Sequence, residues 1–179
     1  MALKKIIPTS PNANLLKGVD MTPLKVGDWN NDLKAQIEAE LATKSDSEPT
    51  LEVKTTNFAA AAGVEYVVNK ADGAAITLPD ASAGARITIL LGITVTSNTT
   101  TITANSGDLL KGYAFLEKNT NNAESYFAPD GTNDLIITLN GTTTGGRIGD
   151  RIELVGISDT EWRVRATLSH SGTAATPFS

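Results

Sequence analysis

The 179-residue chain has room for one ordinary domain and an appendage, and its formal net charge of −5 is spread without a concentrated basic cluster. Nucleic-acid binding normally needs such a cluster to displace counterions from phosphates, so we expect no nucleic-acid partner. The absence of cysteine excludes disulfides and thiolate metal sites. Residues 1–8 lack a sustained apolar stretch after their lysines, so we also expect no membrane partner.

The amino-acid composition favours strands. Aromatic residues make up only 5% of the chain, whereas threonine is conspicuous throughout. A core short of large rings must be built from Val, Ile, Leu and Ala, and thin cores of this kind are often completed by neighbouring subunits. Thr, Val and Ile favour the pleated, half-buried surface of a sheet over a helix. The composition therefore predicts a mainly β protein that forms oligomers.

Residues 1–50 are predicted to form an N-terminal arm and a short helix, and residues 51–179 a β domain. Prolines punctuate the first 27 residues, and Ser10–Asn14 cannot sustain a helix or a central strand. This arm nevertheless carries many apolar side chains, among them Leu3, Ile6, Ile7, Leu15, Leu16, Val19, Met21 and Leu24. Solvated disordered segments are usually poorer in such residues, so the arm should lie on a surface. That surface belongs either to a partner or to the chain's own β domain.

One helix is predicted from about Trp29 to Lys44, with Asp28 as its N-cap. Its large apolar residues recur at every fourth position, and they are Trp29, Leu33, Ile37 and Leu41. A stripe this narrow suits either a seam between parallel helices of an oligomer or a strap on a sheet. Both interpretations stay open, and the four stripe residues are the candidate oligomer contacts.

After the polar linker Ser45–Pro49 the apolar period changes from four residues to two, which is the spacing of strands. The predicted strands are Leu51–Thr55, Val64–Val68, Ala75–Leu78, Arg86–Ile89, Thr94–Ala104, Tyr113–Glu117, Leu135–Leu139, Arg151–Val155 and Glu161–Leu168. Gly, Asn, Asp or Ser separates nearly all of them. Many short strands with frequent turn signals and no helical crossovers predict an antiparallel β-sandwich or small barrel.

The residues that most resemble catalytic or metal-binding groups have simpler interpretations. His170, the only histidine, lies in a polar segment and is expected to be solvated rather than part of a catalytic triad. Gly145–Gly149 lacks the lysine and the following helix of a phosphate loop, so it is interpreted as a glycine-rich turn. Asp130–Asp134 lacks the trailing glutamate of a calcium loop and is interpreted as an Asx-type turn. We therefore expect no enzyme activity, no cofactor and no metal site.

Three segments follow one another in the β region, and they are Ala75–Ile89, Thr101–Asp108 and Gly149–Val155, the last closed by Glu161–Val164. Their ordered succession, over roughly residues 60–168, resembles the β modules of tailed-bacteriophage virion proteins, both capsid decoration proteins and parts of fibres or spikes. The resemblance implies a trimeric or otherwise oligomeric β structure attached to a phage particle. It identifies no catalytic residue.

Within this group of proteins, the small size and the arm favour a capsid decoration, or cement, protein, whose arm would lie along the capsid shell and add apolar contact area. Such a protein would lie in the virion on the capsid surface, bind the major capsid protein, and stabilise the shell as a homo-oligomer, for which we expect a trimer. The alternative is a short head- or tail-fibre or spike protein that binds a host receptor or glycan, or a spike domain that hydrolyses a glycan.

Exposed aromatic side chains would favour receptor or glycan binding. The best-clustered candidates in the sequence are Tyr113, Phe115, Tyr126 and Phe127. Because the chain has so few rings to fill its core, we interpret these four residues as core residues.

Overall fold

The structure is a computed structural model that describes residues 33–37, 39, 50–118 and 123–179. The chain divides into two compact units, Met1–Glu48 and Pro49–Ser179. In the first unit, residues 33–37 and 39 are helical. The described residues of the second unit form strands in two sheets, so the prediction of a mainly β fold is confirmed.

The strands of the second unit are short and closely spaced along the chain. In chain order they are β1 (Thr50–Lys54), β2 (Phe58–Ala59), β3 (Val64–Val68), β4 (Ala75–Thr77), β5 (Arg86–Leu91), β6 (Thr100–Thr103), β7 (Leu109–Lys118), β8 (Glu124–Phe127), β9 (Ile136–Leu139), β10 (Arg151–Ser158) and β11 (Glu161–His170). The larger sheet has the order β1-β3-β5-β10-β11-β7-β8, and the smaller sheet has the order β2-β4-β6-β9.

The first six strands alternate between the two sheets. As a result β1, β3 and β5 are parallel neighbours in the larger sheet, and β2, β4 and β6 are parallel neighbours in the smaller one. The hairpin of β10 and β11 then lies between β5 and β7, and β11 pairs with β7 in parallel. The sheets are therefore mixed, and the expectation of antiparallel pairing throughout was wrong. A chain that crosses to a second sheet and returns re-enters the first in its original direction, so no helical crossover is needed.

The core lies between the sheets and consists mainly of aliphatic side chains, as the composition predicts. In β5 and β10 every second residue is buried, which places Ile87, Ile89, Ile152 and Leu154 inside. Side chains of the smaller sheet, such as Ile102, belong to the same buried cluster. The buried aromatic residues of that cluster are Tyr66, Trp162 and Phe178.

All nine predicted strands correspond to observed ones, with differences at their ends. The strand expected over Thr94–Ala104 is reduced to β6, because Asn98 adopts a φ of 56° and interrupts the extended backbone. Two strands escaped prediction. β2 has only two residues, and the sequence Glu-Ser-Tyr-Phe of β8 places two polar residues before two aromatic ones instead of alternating them.

Candidate interaction surfaces

The arm predicted to contact the capsid, Leu3 to Leu24, lies outside the described residues, as do Trp29 and Leu41 of the helical stripe. Leu33 and Ile37 lie within the described helix, one turn apart on the same face. Both side chains are exposed. Their role as oligomer contacts stays a prediction, and their exposure leaves apolar surface for a partner to cover.

Two adjacent rows of side chains on the outer face of the larger sheet, which points away from the core, contain its exposed apolar groups. Residues paired in register share a row, because neighbouring side chains in a sheet point to the same side. The first row contains Val53, Val67, Leu90, Arg151, Thr167, Phe115 and Tyr126. The second contains Leu51, Glu65, Thr88, Glu153, Arg165 and Tyr113.

The aliphatic patch is the pair Leu51 and Val53 at the β1 edge of this outer face. Their side chains are 62% and 61% exposed, which is high for large aliphatic residues in a sheet. The intervening Glu52 and the following Lys54 point to the opposite side. There Lys54 Nζ lies 2.6 Å from Glu52 Oε2, and this hydrogen bond raises the pKa of Lys54 above its ordinary value. The charges of β1 are thus held away from the aliphatic patch.

The aromatic patch is the group Tyr113, Phe115 and Tyr126 at the β7–β8 edge of the same face. The rings of Phe115 and Tyr126 are tilted by 51° with centroids 5.0 Å apart, and Tyr126 is 67% exposed. The interpretation of these residues as core was wrong for all but Phe127, which packs against the core. Ala114 and Leu116 occupy the inward positions of β7, so the alternating rings must point outward.

Charged side chains occupy the middle of the outer face, between the two patches. Arg151 reaches both Glu65, at 3.5 Å, and Glu153, at 2.9 Å. Arg165 lies 4.0 Å from Glu153. Exposed ion pairs of this kind contribute little to stability. The charged side chains in the middle of the face are thus paired with one another, whereas the described residues of the two patches at its edges form no ion pair.

Asp150 is a buried carboxylate that ties the glycine-rich turn to β11. Its Oδ2 accepts hydrogen bonds from the amides of Gly146, at 2.7 Å, and Arg147, at 3.0 Å. Its Oδ1 accepts from the amide and hydroxyl of Ser169, at 2.9 and 2.8 Å. These amides are thus already bonded to a carboxylate, which confirms a structural turn in place of a phosphate loop. Burial raises the pKa of Asp150, although the four donors act in the opposite direction.

Replacing Asp150 by asparagine is expected to remove a pH-dependent contribution to stability. Because its pKa is raised, the folded chain binds this proton more tightly than the unfolded chain. The contribution is therefore complete below a pH of about 3.8 and is lost as the pH rises through the folded pKa. Denaturant unfolding of both proteins across the acid range measures it. The free energy of unfolding of the wild type minus that of D150N should fall as the pH rises.

Asp130→Asn provides the control for this titration, because backbone hydrogen bonds hold the pKa of Asp130 below its ordinary value. Its contribution is present above the unfolded pKa and is lost as the pH falls. The difference between the wild type and D130N should accordingly change with pH in the opposite sense. A pH-independent difference for D150N would show that burial of Asp150 leaves its protonation unchanged.

His170 is buried, so its interpretation as a solvated tail residue was wrong. β11 continues to this residue through pairing with Lys118 of β7, and the even-numbered positions of β11 all face the core. The ring Nδ1 lies 3.1 Å from the carbonyl oxygen of Gly172, while Nε2 has no hydrogen-bond partner among the described residues. Ser169 donates its hydroxyl to Asp150 instead of to this ring, so the three residues are not linked in the order of a catalytic triad.

The loop that begins at Asp130 is an Asx-type turn, as predicted. Asp130 Oδ1 accepts hydrogen bonds from the amides of Thr132 and Asn133, each at 2.7 Å, and from that of Asp134 at 3.2 Å. Across residues 33–37, 39, 50–118 and 123–179, no group of three or more His, Cys, Asp or Glu side chains is placed to hold a metal ion. The oxygen atoms of this loop are therefore used to shape the backbone.

Comparison of the chain with protein-family models, with curated proteins and with solved structures found no match. Within the part of the chain that the structure describes, no helix is long and apolar enough to cross a membrane. The surfaces from which a function can be inferred are therefore the exposed helix face and the two patches of the outer face.

Proposed function

We propose that this chain is a structural virion protein that binds and stabilises the capsid of a tailed bacteriophage as a decoration protein. Its partner is the major capsid protein, its location is the capsid surface, and it acts as a homo-oligomer, for which we expect three copies. It performs no catalysis and uses no cofactor. The succession of β segments that resembles phage virion proteins supports this proposal, together with the two-sheet fold in which those segments lie.

The observation that carries the proposal is apolar surface exposed in both units of one chain. Leu33 and Ile37 are exposed on the helix, and Leu51 and Val53 are exposed on β1. Full burial of each such side chain contributes about 1.5–3 kcal/mol, so surfaces of this kind favour binding to other subunits. A protein that engages only the assembled shell stabilises it by mass action, by about 2.7 kcal/mol at a concentration one hundred times Kd.

The alternative function is that of a short fibre or spike protein that binds a host receptor or glycan. The aromatic patch favours it, because exposed rings beside charged side chains are typical of surfaces that recognise ligands. Tyr126 is the most exposed of these rings, and Arg165 lies in the adjacent row of the same face. In this alternative a host molecule binds the outer face, and the capsid is only the site to which the protein is attached.

Co-sedimentation tests the proposed function. Purified full-length protein would be mixed with particles of its phage that were assembled without it, and the shells would then be heated. We expect saturable binding and a higher temperature of shell disruption, because ligand binding to the assembled state alone stabilises it. Absence of binding to such particles would contradict the proposal.

Binding to host cells tests the alternative function. It predicts that Tyr126→Ser loses cell binding while Ile148→Ser retains it. Ile148 is a suitable control because its side chain is 66% exposed and lies in the glycine-rich turn, away from the aromatic patch. Equal cell binding by the two variants, or none by the wild type, would remove the support that the aromatic patch lends to a receptor-binding role.

A further inference from the structure

The aliphatic and aromatic patches lie at opposite edges of one sheet face. The aliphatic patch belongs to β1 and the aromatic patch to β7 and β8, with β3, β5, β10 and β11 between them. Six strand spacings of about 4.8 Å separate the two edge strands, which amounts to roughly 29 Å. The two patches of one chain therefore cannot contact each other.

The two patches also lie at the same height along the strand direction. Register pairing carries the row of Val53 across the sheet to Phe115 and Tyr126. The adjacent row begins at Leu51 and reaches Tyr113. Each aliphatic side chain thus has aromatic side chains at its own level on the opposite edge.

The equal height of the two patches limits the symmetry of an oligomer that forms through them. A twofold axis that runs along the strands between two facing sheets would also set each aliphatic patch against an aromatic patch, but it would enclose the ion pairs around Arg151 between the two copies. A head-to-tail contact at the sheet edges joins the same two patches and leaves the middle of the face exposed. Head-to-tail contacts close into a ring when successive copies are related by rotation without translation, and they form an open filament otherwise. Two complementary patches at one level satisfy the condition for closure about an axis that runs along the strands.

We propose that the aliphatic patch of one copy packs against the aromatic patch of the next copy in a closed ring. Each patch is thus covered by a second copy of this chain. The inference rests on the oligomeric part of the proposed function and is independent of the capsid as partner. No residue of either patch is charged, and the exposed Glu117 and Glu124 lie beside the aromatic patch on the same face. The ion pairs around Arg151 remain on the face between the two patches.

The strand directions are compatible with this arrangement. β1 runs parallel to β7, since β1, β3 and β5 are parallel and β11 has the direction of both β5 and β7. β8 runs antiparallel to β7, so β8 of one copy and β1 of the next run antiparallel in a ring. Among the described strands, β1 and β8 are the edges of the larger sheet. Their outward backbone groups are therefore able to pair across the same contact.

Chemical cross-linking tests the ring directly, because the chain contains no cysteine and so has no background reaction. The full-length double variant Val53→Cys with Tyr126→Cys would be treated with a short bis-maleimide and separated under denaturing conditions. We expect covalent multimers that stop at the ring size, which is three copies in the proposed function. Light scattering of the untreated protein should give the same multiple of 18.7 kDa.

Matched control variants show which sites lie in contact between neighbouring copies. Val53→Cys alone and Tyr126→Cys alone should stay monomeric under denaturing conditions, because each site meets only the other kind. Ile148→Cys combined with Tyr126→Cys should also stay monomeric, since Ile148 is equally exposed but belongs to neither patch. A dimer from Val53→Cys alone, or a double variant whose cross-linked product stops at two copies while light scattering also gives two, would show a twofold contact and overturn the inference.

The remaining outcomes separate this inference from the proposed function. A double variant without cross-links, or a ladder that continues beyond the oligomer found by light scattering, would overturn the closed ring. Particle binding without cross-links would leave the decoration role intact and reject the ring. Cross-linked rings that do not bind particles would support the ring and reject the decoration role.

Discussion

Replacing Trp162 by alanine is expected to lower the free energy of unfolding of the β unit by roughly 3–5 kcal/mol, the usual cost of removing a buried aromatic side chain. Trp162 is fully buried on β11, where it is paired in register with Gly156 of β10 and Leu110 of β7. The surrounding core side chains are close-packed aliphatic groups, which relax only partly into a cavity of this size. Denaturant unfolding of the purified variant measures the change.

Trp162→Phe is the matched control, because it keeps a ring and removes the indole N–H. That N–H has no hydrogen-bond partner among the described residues, so its loss leaves no acceptor unsatisfied. The phenylalanine variant should therefore lose much less stability than the alanine variant. Equal losses for the two would show that the position depends on the indole itself and that cavity formation is not the main cause.

Deletion of residues 1–27 is expected to abolish attachment to the capsid while the β unit stays folded. The deleted arm carries many apolar side chains without a pattern that buries them within one helix or strand. Each fully buried Leu or Ile is worth about 1.5–3 kcal/mol, and several of them across three arms would offset the cost of ordering the segment. The helix with Leu33 and Ile37 remains in the truncated chain.

Co-sedimentation with particles that lack the protein measures attachment, and circular dichroism of the free truncated protein reports its fold. Leu33→Ser in the full-length chain serves as a comparison, because it changes one exposed apolar residue outside the arm. Undiminished binding of the truncated chain would mean that the β unit docks alone. Unfolding of the truncated chain would mean that the arm is an intramolecular strap, the other interpretation of its apolar residues.

Features that depend on neighbours in the chain were predictable from the sequence. The alternation of β3 and β5 marks their positions because successive side chains of any strand point to opposite sides. The Asx-type turn at Asp130 and the glycine-rich turn before Asp150 depend on hydrogen bonds and φ angles within a few residues. The mainly β class follows from the same local preferences, summed along the chain.

Candidate-site features depend on which side of a strand faces the core, and the sequence of one strand leaves that choice open. In β7 the small Ala114 points inward and the larger Phe115 outward, against the expectation that scarce rings fill the core. The apolar volume on the inner side is supplied by strands distant in sequence, among them β11 with Trp162. His170 is buried for a related reason, since pairing with β7 extends β11 beyond its alternating apolar residues.

By itself the sequence determined the β class, the strand positions and the two turns, because each of these rests on interactions between residues close in the chain. Only the tertiary structure decided that the strands alternate between two sheets and pair partly in parallel, and that two apolar patches share rows at opposite edges of one face. Leu51 and Tyr113 lie far apart in the chain, and their common level arises from five successive strand pairings. Register between distant strands is a property of the assembled sheet, which no local pattern encodes.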